Sequence, residues 1–205
     1  MRNEIVIHVV DDEEAVRKSL AFLLTTAGHA VRVHASATDF LAIAPGLHDA
    51  CLITDLRMPD MSGVELLRRL RAAGAKVPAI VITGHGDVPM AVEAMKAGAL
   101  DFIEKPFEDE VLLAAIANAC RRAGRAEAVA ADAAAVRARL AVLTERERQV
   151  LDGVVAGLPN KTIAYDLDIS PRTVEVHRAN VMAKMQASSL PELVRLVMLV
   201  NPPAP

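Results

Sequence analysis

The strongest constraint on the fold of this 205-residue chain is an alternation of short β-branched runs with helical patterns between residues 4 and 122. The five runs are EIVIHVV, AVRVH, ACLITD, PAIVIT and LDFIE. Such an alternation is typical of a parallel sheet covered by helices. It predicts an α/β domain over residues 1–122.

The rest of the chain is predicted to be helical. Residues 123–142 contain ten alanines, one glycine and no proline, which predicts a semi-rigid helical linker over 123–138. An all-α domain is predicted over 139–205, since its segments carry helix-start signals. These signals are a capping box of Thr144 and Glu147, a cap at Asn160, and Ser170 followed by Pro171.

Composition narrows the class of protein. Hydrophobic residues make up 53% of the chain and aromatic residues 2%, so the core must be aliphatic. The most apolar segment of the tail, LVRLVMLV, is short and contains Arg195, so no membrane span is expected and a cytoplasmic protein is predicted. Cys51 and Cys120 form no CxxC or Cys/His pattern and are expected to fill space.

Acidic residues follow the first predicted strand in the stretch VVDDEE. Taken alone, they indicate a helix start, in which one Asp caps the helix and the Glu pair favours its positive end. Their position favours a second interpretation, because ligand sites of open parallel sheets form beyond the carboxyl ends of the strands. The polar residues expected at that edge are Asp11, Asp12, Asp55, Thr83 and Lys105.

The chemistry of this set suits phosphoryl transfer. Three neighbouring carboxylates need a cation among them, and an oxygen-only ligand set suits Mg²⁺. Asp55 would be deprotonated at neutral pH and could attack a phosphoryl group without a general base. Lys105 and the Thr83 hydroxyl would bind phosphoryl oxygens. Each residue seen singly has an ordinary structural explanation.

Over about the first 120 residues the chain resembles the receiver domains of two-component response regulators, in the acidic pair, ITDLRMPDMSG, VITGHGD and EKPF. The resemblance implies a flavodoxin-like sheet of strand order 2-1-3-4-5 and phosphorylation by a sensor histidine kinase. It also implies a cis bond before Pro106. The implied roles are Asp55 as phosphoacceptor, Asp11, Asp12, Asp55 and the backbone carbonyl of Arg57 as Mg²⁺ ligands, and Thr83, Phe102 and Lys105 as sensors of the phosphoryl group.

An enzyme is an alternative, because phosphatases of the haloacid dehalogenase type also use an Asp nucleophile and Mg²⁺. They require a second Asp two residues after the nucleophile. Arg57 occupies that position here. Turnover of an external substrate is therefore not expected, and the only predicted reactions are phosphoryl uptake and self-dephosphorylation.

The segment GLPNKTIAYDLDISPRTVEVHRANVMAKM predicts two helices joined by the turn LDIS, which is the form of a helix-turn-helix. One side of the second helix should pack inward through Val174, His177, Val181 and Met185. The opposite side of this helix presents Arg172, Val176, Ala179, Asn180 and Ala183, flanked by Glu175 and Lys184.

Charge gives little support for nucleic-acid binding, because residues 139–205 carry eight basic and seven acidic residues. The pattern alone leaves a plain helical packing unit as an equal alternative.

LTERERQVL, GLPNKTIA and SPRTVEVHRANVMAKM resemble the LuxR/NarL-type DNA-binding domain. By position, the resemblance implies that Glu175, Val176 and Ala179 face bases of double-stranded DNA. Arg178 departs from the family, in which many members have an apolar residue there. Phosphate contacts are implied for Lys161, Thr173 and Lys184.

The whole chain resembles the FixJ-type subfamily, whose members answer to an oxygen-sensing histidine kinase and activate nitrogen-fixation or respiratory genes. A homodimer is expected after phosphorylation, through Val92 and Lys96 on the outer side of the fourth helix, together with contact to RNA polymerase at a promoter. The competing hypothesis is a receiver whose helical tail binds polymerase or a sigma factor instead of DNA.

Overall fold

The computed structural model describes residues 5–84, 87–122 and 126–201, without the side chains of 122 and 126–132. A five-stranded parallel sheet has the order β2-β1-β3-β4-β5, which confirms the predicted fold class. All five predicted strands are present. They are β1 Val6–Val10, β2 Ala30–His34, β3 Ala50–Asp55, β4 Ala79–Thr83 and β5 Asp101–Glu104.

Helices follow every strand and form the whole C-terminal part of the described chain. Around the sheet they are α1 Glu14–Thr26, α2 Ala37–Ile43, α3 Gly63–Ala72, α4 Val88–Ala97 and α5 Asp109–Arg122, with a 3-10 turn at Ala44–Gly46. The later helices are α6 Ala126–Ala141, α7 Glu145–Val155, α8 Asn160–Asp166, α9 Pro171–Met185 and α10 Leu190–Val200.

The chain divides into two compact units. The first comprises Met1–His85 and Ala97–Gly124. Its core is aliphatic, as the composition predicts, and lies between the sheet and helices α1 and α5. Fully buried members of this core include Ile7, Val9, Leu24, Leu112 and Ile116.

The second unit comprises Gly86–Lys96 and Arg125–Pro205. Its main core joins side chains of α6 through α10. Val136 lies in the segment predicted as a linker, yet it is 1% exposed within this core. Part of the alanine-rich segment therefore packs as a helix of the C-terminal unit. The central side chains of this core are Val150, Ile163, Val174, Val181, Met185 and Leu193.

The helix-start signals are largely confirmed. Thr144 and Glu147 form the predicted capping box at the start of α7. The Ser170 hydroxyl accepts the Thr173 backbone N–H at 3.0 Å at the start of α9. The cap at Asn160 is wrong, because α8 is preceded by Pro159 and the Asn160 side chain accepts a hydrogen bond from Arg178 instead.

One glycine is required by the close approach of α3 to the end of β3. A Cβ on Gly63 would lie 2.4 Å from the backbone oxygen of Asp55, far inside van der Waals contact. The Gly63 N–H donates to the Leu56 carbonyl at 2.9 Å. The start of α3 is therefore held directly against the backbone that carries Asp55.

None of the helices among the described residues has both the length and the apolar character needed to cross a bilayer.

Candidate functional site

Acidic and basic residues that were predicted to meet at the carboxyl edge of the sheet lie at that edge. Strands β1, β3 and β5 end at Val10, Asp55 and Glu104, and parallel pairing aligns their carboxyl ends. Asp11 and Lys105 immediately follow β1 and β5. The edge therefore carries two carboxylates and one ammonium from three different strands.

The ammonium of Lys105 bridges these carboxylates. Its Nζ lies 3.2 Å from Oδ2 of Asp11 and 3.2 Å from Oδ1 of Asp55. Burial raises the pKa of Asp11, although the Glu13 N–H and Lys105 oppose it. Burial acts to lower the pKa of Lys105, but the two carboxylates outweigh this effect and raise that pKa overall. Lys105 is therefore held as a cation between two acids.

The second oxygen of Asp55 is also fixed. Its Oδ2 accepts the Arg57 backbone N–H at 2.6 Å, and its side chain is 13% exposed. The carboxylate therefore has one oxygen turned to the lysine and the other to the backbone of the following loop. A group in this position has a defined orientation and limited access to solvent.

The predicted sensing residues lie on β4, which pairs with the strand of Asp55, and on β5, the strand beyond it. Thr83 closes β4, is 2% exposed, and its carbonyl accepts the Lys105 backbone N–H at 2.7 Å. Phe102 is half-buried in β5, opposite Val81 of β4. The peptide bond between Lys105 and Pro106 is cis, which confirms that expectation.

The donor set fits Mg²⁺ in its chemistry, since carboxylate and carbonyl oxygens are the ligands that this ion prefers. Asp11 and Asp55 are close enough to share one ammonium. Asp12 is exposed, in the bend between β1 and α1. No group of three or more His, Cys, Asp or Glu is placed to hold a metal within the part of the chain that the structure describes. Two of the three predicted carboxylates are thus brought together.

A pair of histidines, His8 buried and His34 half-buried, was missed by the sequence analysis. His8 Nδ1 lies 2.9 Å from His34 Nε2, and both rings make edge contacts with Phe40. Burial lowers the pKa of His8 to about 4, with smaller contributions from His34 and Arg32. Separation by 26 residues left no local pattern, and only the pairing of β1 with β2 brings the rings together.

The helix-turn-helix consists of α8, a turn with Asp168 at φ 54°, and α9. Val174, Val181 and Met185 are buried as predicted, whereas His177 is half-buried and its Nδ1 has no hydrogen-bond partner among the described residues. Tyr165, which the sequence analysis did not single out, is 87% exposed on α8. The other side of α9 is exposed at Arg172, Glu175, Val176, Ala179, Asn180 and Ala183, and Lys161 is exposed on α8.

Two basic side chains of α9 contact polar side chains of neighbouring helices in the same unit. Arg178, whose role the sequence left open, is half-buried and donates to Asn160 Oδ1 at 2.6 Å, which links α9 to α8. Lys184 was predicted to contact DNA phosphate. Its ammonium instead lies 2.6 Å from Oε2 of Glu147, whose side chain is 5% exposed.

The predicted dimer surface on α4 differs from expectation. Val92 is 2% exposed, so it is not available as a free surface. The physical reason is that the turn after α7 covers it within the second unit, because a Cβ built on Gly157 would lie 3.8 Å from Val92 Cβ and 3.4 Å from Pro89 Cα. Lys96 is half-buried.

Comparison with known proteins identifies relatives of both halves. Residues 7–117 match the family described as response regulator receiver domain, and residues 141–197 match bacterial regulatory proteins of the luxR family. Transcriptional regulatory protein FixJ of Rhizobium meliloti (strain 1021) is 69% identical, over 94% of each chain. FixJ of Azorhizobium caulinodans is 55% identical, over 98% of this chain and 95% of that protein.

A solved structure is similar across the same length. The crystal structure of full-length FixJ from B. japonicum has 54% sequence identity and a TM-score of 0.58. The match covers 97% of this chain and 98% of the other.

The Glu147–Lys184 pair predicts a pH-dependent stability. Hydrogen bonds from Lys184 and from the Thr144 backbone lower the pKa of Glu147 to about 2. A lowered carboxyl pKa stabilises the fold above the unfolded value of about 4.3, and this contribution is lost as pH falls toward 2. We therefore expect Glu147→Gln to lower the unfolding temperature at pH 7, with the difference from the unmodified chain shrinking between about pH 5 and pH 2.

Circular dichroism melts of the full chain measure this difference. Glu145→Gln is the matched control, because Glu145 is exposed in the first turn of the same helix. A difference between the unmodified chain and Glu147→Gln that stays constant over this pH range would contradict the assignment.

Proposed function

The chain belongs to the FixJ-like response regulators, which join a receiver domain to a LuxR-type DNA-binding domain, and from this premise we propose how its residues receive a phosphoryl group and read DNA. As a member of the family it is a two-component regulator that binds DNA, with a histidine kinase as partner. We assign 1–122 to the receiver, 123–138 to the linker and 139–205 to the DNA-binding domain, with α6 contributing Val136 to the core of the last.

Asp55 is the proposed phosphoacceptor, and the observation that carries this proposal is the Lys105 ammonium between Asp11 and Asp55. An oxygen of Asp55 attacks the phosphorus of a phosphohistidine on the kinase, the P–N bond breaks, and an aspartyl phosphate forms. Lys105 then pairs with a phosphoryl oxygen, and the Thr83 hydroxyl donates to another.

Mg²⁺ would be held by Asp11, Asp12, Asp55 and the backbone carbonyl of Arg57. When bound, the ion supplies positive charge that offsets the carboxylates and the incoming phosphoryl group. The protein's own contribution is orientation, since Asp55 is fixed by the Arg57 N–H and by Lys105. Hydrolysis of the aspartyl phosphate by water releases phosphate and returns the carboxylate, so the only reactions proposed are phosphoryl uptake and self-dephosphorylation.

The exposed side of α9 is the proposed major-groove reader. Glu175, Val176 and Ala179 present short polar and apolar groups that suit base edges and thymine methyls. Arg172 and Asn180 extend the same exposed side, and Lys161 and Thr173 are assigned to phosphates. Lys184 is assigned to the ion pair with Glu147 rather than to DNA.

Phosphorylation is proposed to control DNA binding through the face of α4 and β5. Added charge at Asp55 draws in Thr83 and lets Phe102 turn inward, which reshapes the face that contains Val92 and Lys96. Because Val92 is buried in the structure described above, a homodimer through this face requires α4 to become uncovered. Moving the ratio of active to inactive receiver from about 1:99 to 99:1 requires phosphorylation to favour the active conformation by roughly 5.5 kcal/mol.

Membership of the family supports the proposal that the chain activates transcription in the cytoplasm with RNA polymerase as a partner. By resemblance, the target genes serve nitrogen fixation or respiration under the control of oxygen. The competing hypothesis, in which the tail binds polymerase or a sigma factor instead of DNA, is not favoured, because the tail matches the luxR family over residues 141–197.

Phosphorylation at Asp55 is tested by labelling with a radioactive small acyl phosphate. The full chain should take up label with Mg²⁺ present and lose this ability when Mg²⁺ is chelated. Asp55→Asn should take up none, because the amide is not a nucleophile. Glu108→Gln, a change of an exposed acid outside the proposed site, should label normally, and stoichiometric acid-stable labelling of Asp55→Asn would overturn the assignment.

The DNA-reading side is tested by binding to a set of duplex fragments at fixed salt. Lys161→Ala should weaken binding about equally on all sequences, because phosphate contacts carry no sequence information. Glu175→Ala and Val176→Ala should alter sequence preference, with a lost base contact costing about 1 to 3 kcal/mol. Arg137→Ala, an exposed cation of α6, is the control. Unchanged affinity and preference in Glu175→Ala would place this residue outside the interface.

The switch is tested with three samples on one DNA fragment: the unmodified chain, the phosphorylated chain, and residues 126–205, which retain Val136. We expect the fragment and the phosphorylated chain to bind more tightly than the unmodified chain, and only the phosphorylated chain to dimerise in sedimentation. If the fragment binds no better than the unmodified chain, the receiver is not inhibitory. If affinity rises while the receiver stays monomeric, dimerisation is not the route.

A further inference from the structure

The guanidinium of Arg17 holds the backbone of the acidic loop, residues 11–13, between β1 and α1. Its Nη1 donates to the carbonyl oxygen of Asp11 at 2.7 Å and to the carbonyl oxygen of Asp12 at 2.8 Å. Arg17 is the fourth residue of α1 and is half-buried. A single side chain therefore fixes two consecutive peptide groups, at the bend where the chain passes from the sheet into the helix.

The same hydrogen bonds act on the carboxylate of Asp11. In a trans peptide the C=O and the N–H point in opposite directions. The peptide between Asp12 and Glu13 presents its C=O to Arg17 and its N–H to Oδ1 of Asp11, at 2.9 Å. The other oxygen of Asp11 accepts the Lys105 ammonium at 3.2 Å. Arg17 is thus linked to the Asp11 carboxylate through one peptide group.

We infer that Arg17 is a positioning residue, which keeps Asp11 and Asp12 oriented to bind Mg²⁺. The inference rests on the proposed function, since it takes these two residues as part of an Mg²⁺ site beside Asp55. Rotation of either peptide that Arg17 holds would redirect a carboxylate of this loop. Arg17 itself supplies no ligand atom, because a guanidinium has hydrogen-bond donors only.

Charge and orientation predict opposite effects of removing Arg17. A guanidinium repels a divalent cation, so loss of its charge alone would tighten Mg²⁺ binding. Loss of its two hydrogen bonds frees the acidic loop, and residues that orient metal ligands typically contribute about 10- to 100-fold to metal affinity. The sign of the change therefore separates a positioning role from a purely electrostatic one.

The first measurement is the Mg²⁺ dissociation constant of the unphosphorylated full chain, from a titration followed by backbone amide NMR signals. We expect Arg17→Ala to raise this constant about tenfold or more. Arg17→Gln should raise it in the same way, because the side chain is too short to hold both carbonyls, and it replaces Arg17→Ala if that variant does not fold. Arg17→Lys should recover part of the affinity, since an ammonium can also donate to carbonyl oxygens.

Lys18→Ala is the matched control. It removes the same charge from the neighbouring position of α1, where Lys18 is exposed and its ammonium lies 2.6 Å from the Glu14 carboxylate. We expect it to leave the Mg²⁺ dissociation constant within about twofold, because exposed charges are screened by salt.

The second measurement is hydrogen exchange of the Glu13 amide, which follows the held peptide without any metal. Its N–H donates to Asp11 Oδ1, so we expect exchange to accelerate roughly tenfold in Arg17→Ala, the change expected for loss of one hydrogen bond. Amides of β3 should exchange at the rates of the native sequence, which shows that the receiver stays folded.

The outcomes distinguish this inference from the proposed function. Unchanged or tighter Mg²⁺ binding in Arg17→Ala, in a protein whose native sequence binds Mg²⁺ and takes label at Asp55, overturns the inference alone. Equal losses in Arg17→Ala and Lys18→Ala also overturn it, because they would not depend on the held loop. If the native sequence binds no Mg²⁺ at this edge, the proposed function fails and the inference fails with it.

Discussion

The ammonium of Lys105 between the carboxylates of Asp11 and Asp55 is the interaction on which the proposed chemistry depends. It joins side chains at the ends of β1, β3 and β5, which are far apart in sequence. These ends come together because β1, β3, β4 and β5 run parallel in register. Two acids this close repel each other, and the lysine offsets that repulsion. One ammonium offsets only one of two ionised carboxylates, so whatever binds at this edge meets a cluster that still carries net negative charge.

In the C-terminal domain one carboxylate, that of Glu147, accepts a hydrogen bond from its own helix start and another from a distant helix. Glu147 accepts the Thr144 backbone N–H in the capping box and also the Lys184 ammonium from the far end of α9. The first contact fixes where α7 begins, and the second fixes α9 against it. Helix α9 is therefore tied to α7 by Lys184 near its carboxyl end and to α8 by Arg178 at its middle, where Arg178 donates to Asn160.

The sequence predicted the sheet and its edge because the alternation of strand and helix patterns, with polar residues at strand ends, is a local signal. It also predicted the buried side of α9 at Val174, Val181 and Met185 from helical spacing. It could not predict pairs made only by tertiary packing. The ion pair of Lys184 with Glu147 and the burial of Val92 both depend on neighbours that are distant in the sequence.

The chain has no tryptophan and one tyrosine, Tyr165, which is 87% exposed on α8. Ultraviolet emission excited in the tyrosine band therefore arises from a single helix of the DNA-binding domain, and the receiver contributes none. Optical titrations with duplex DNA can use this native fluorophore without labelling. The four phenylalanines, all within residues 1–122, do not absorb in that band, so any change in the emission on phosphorylation would report a change around Tyr165.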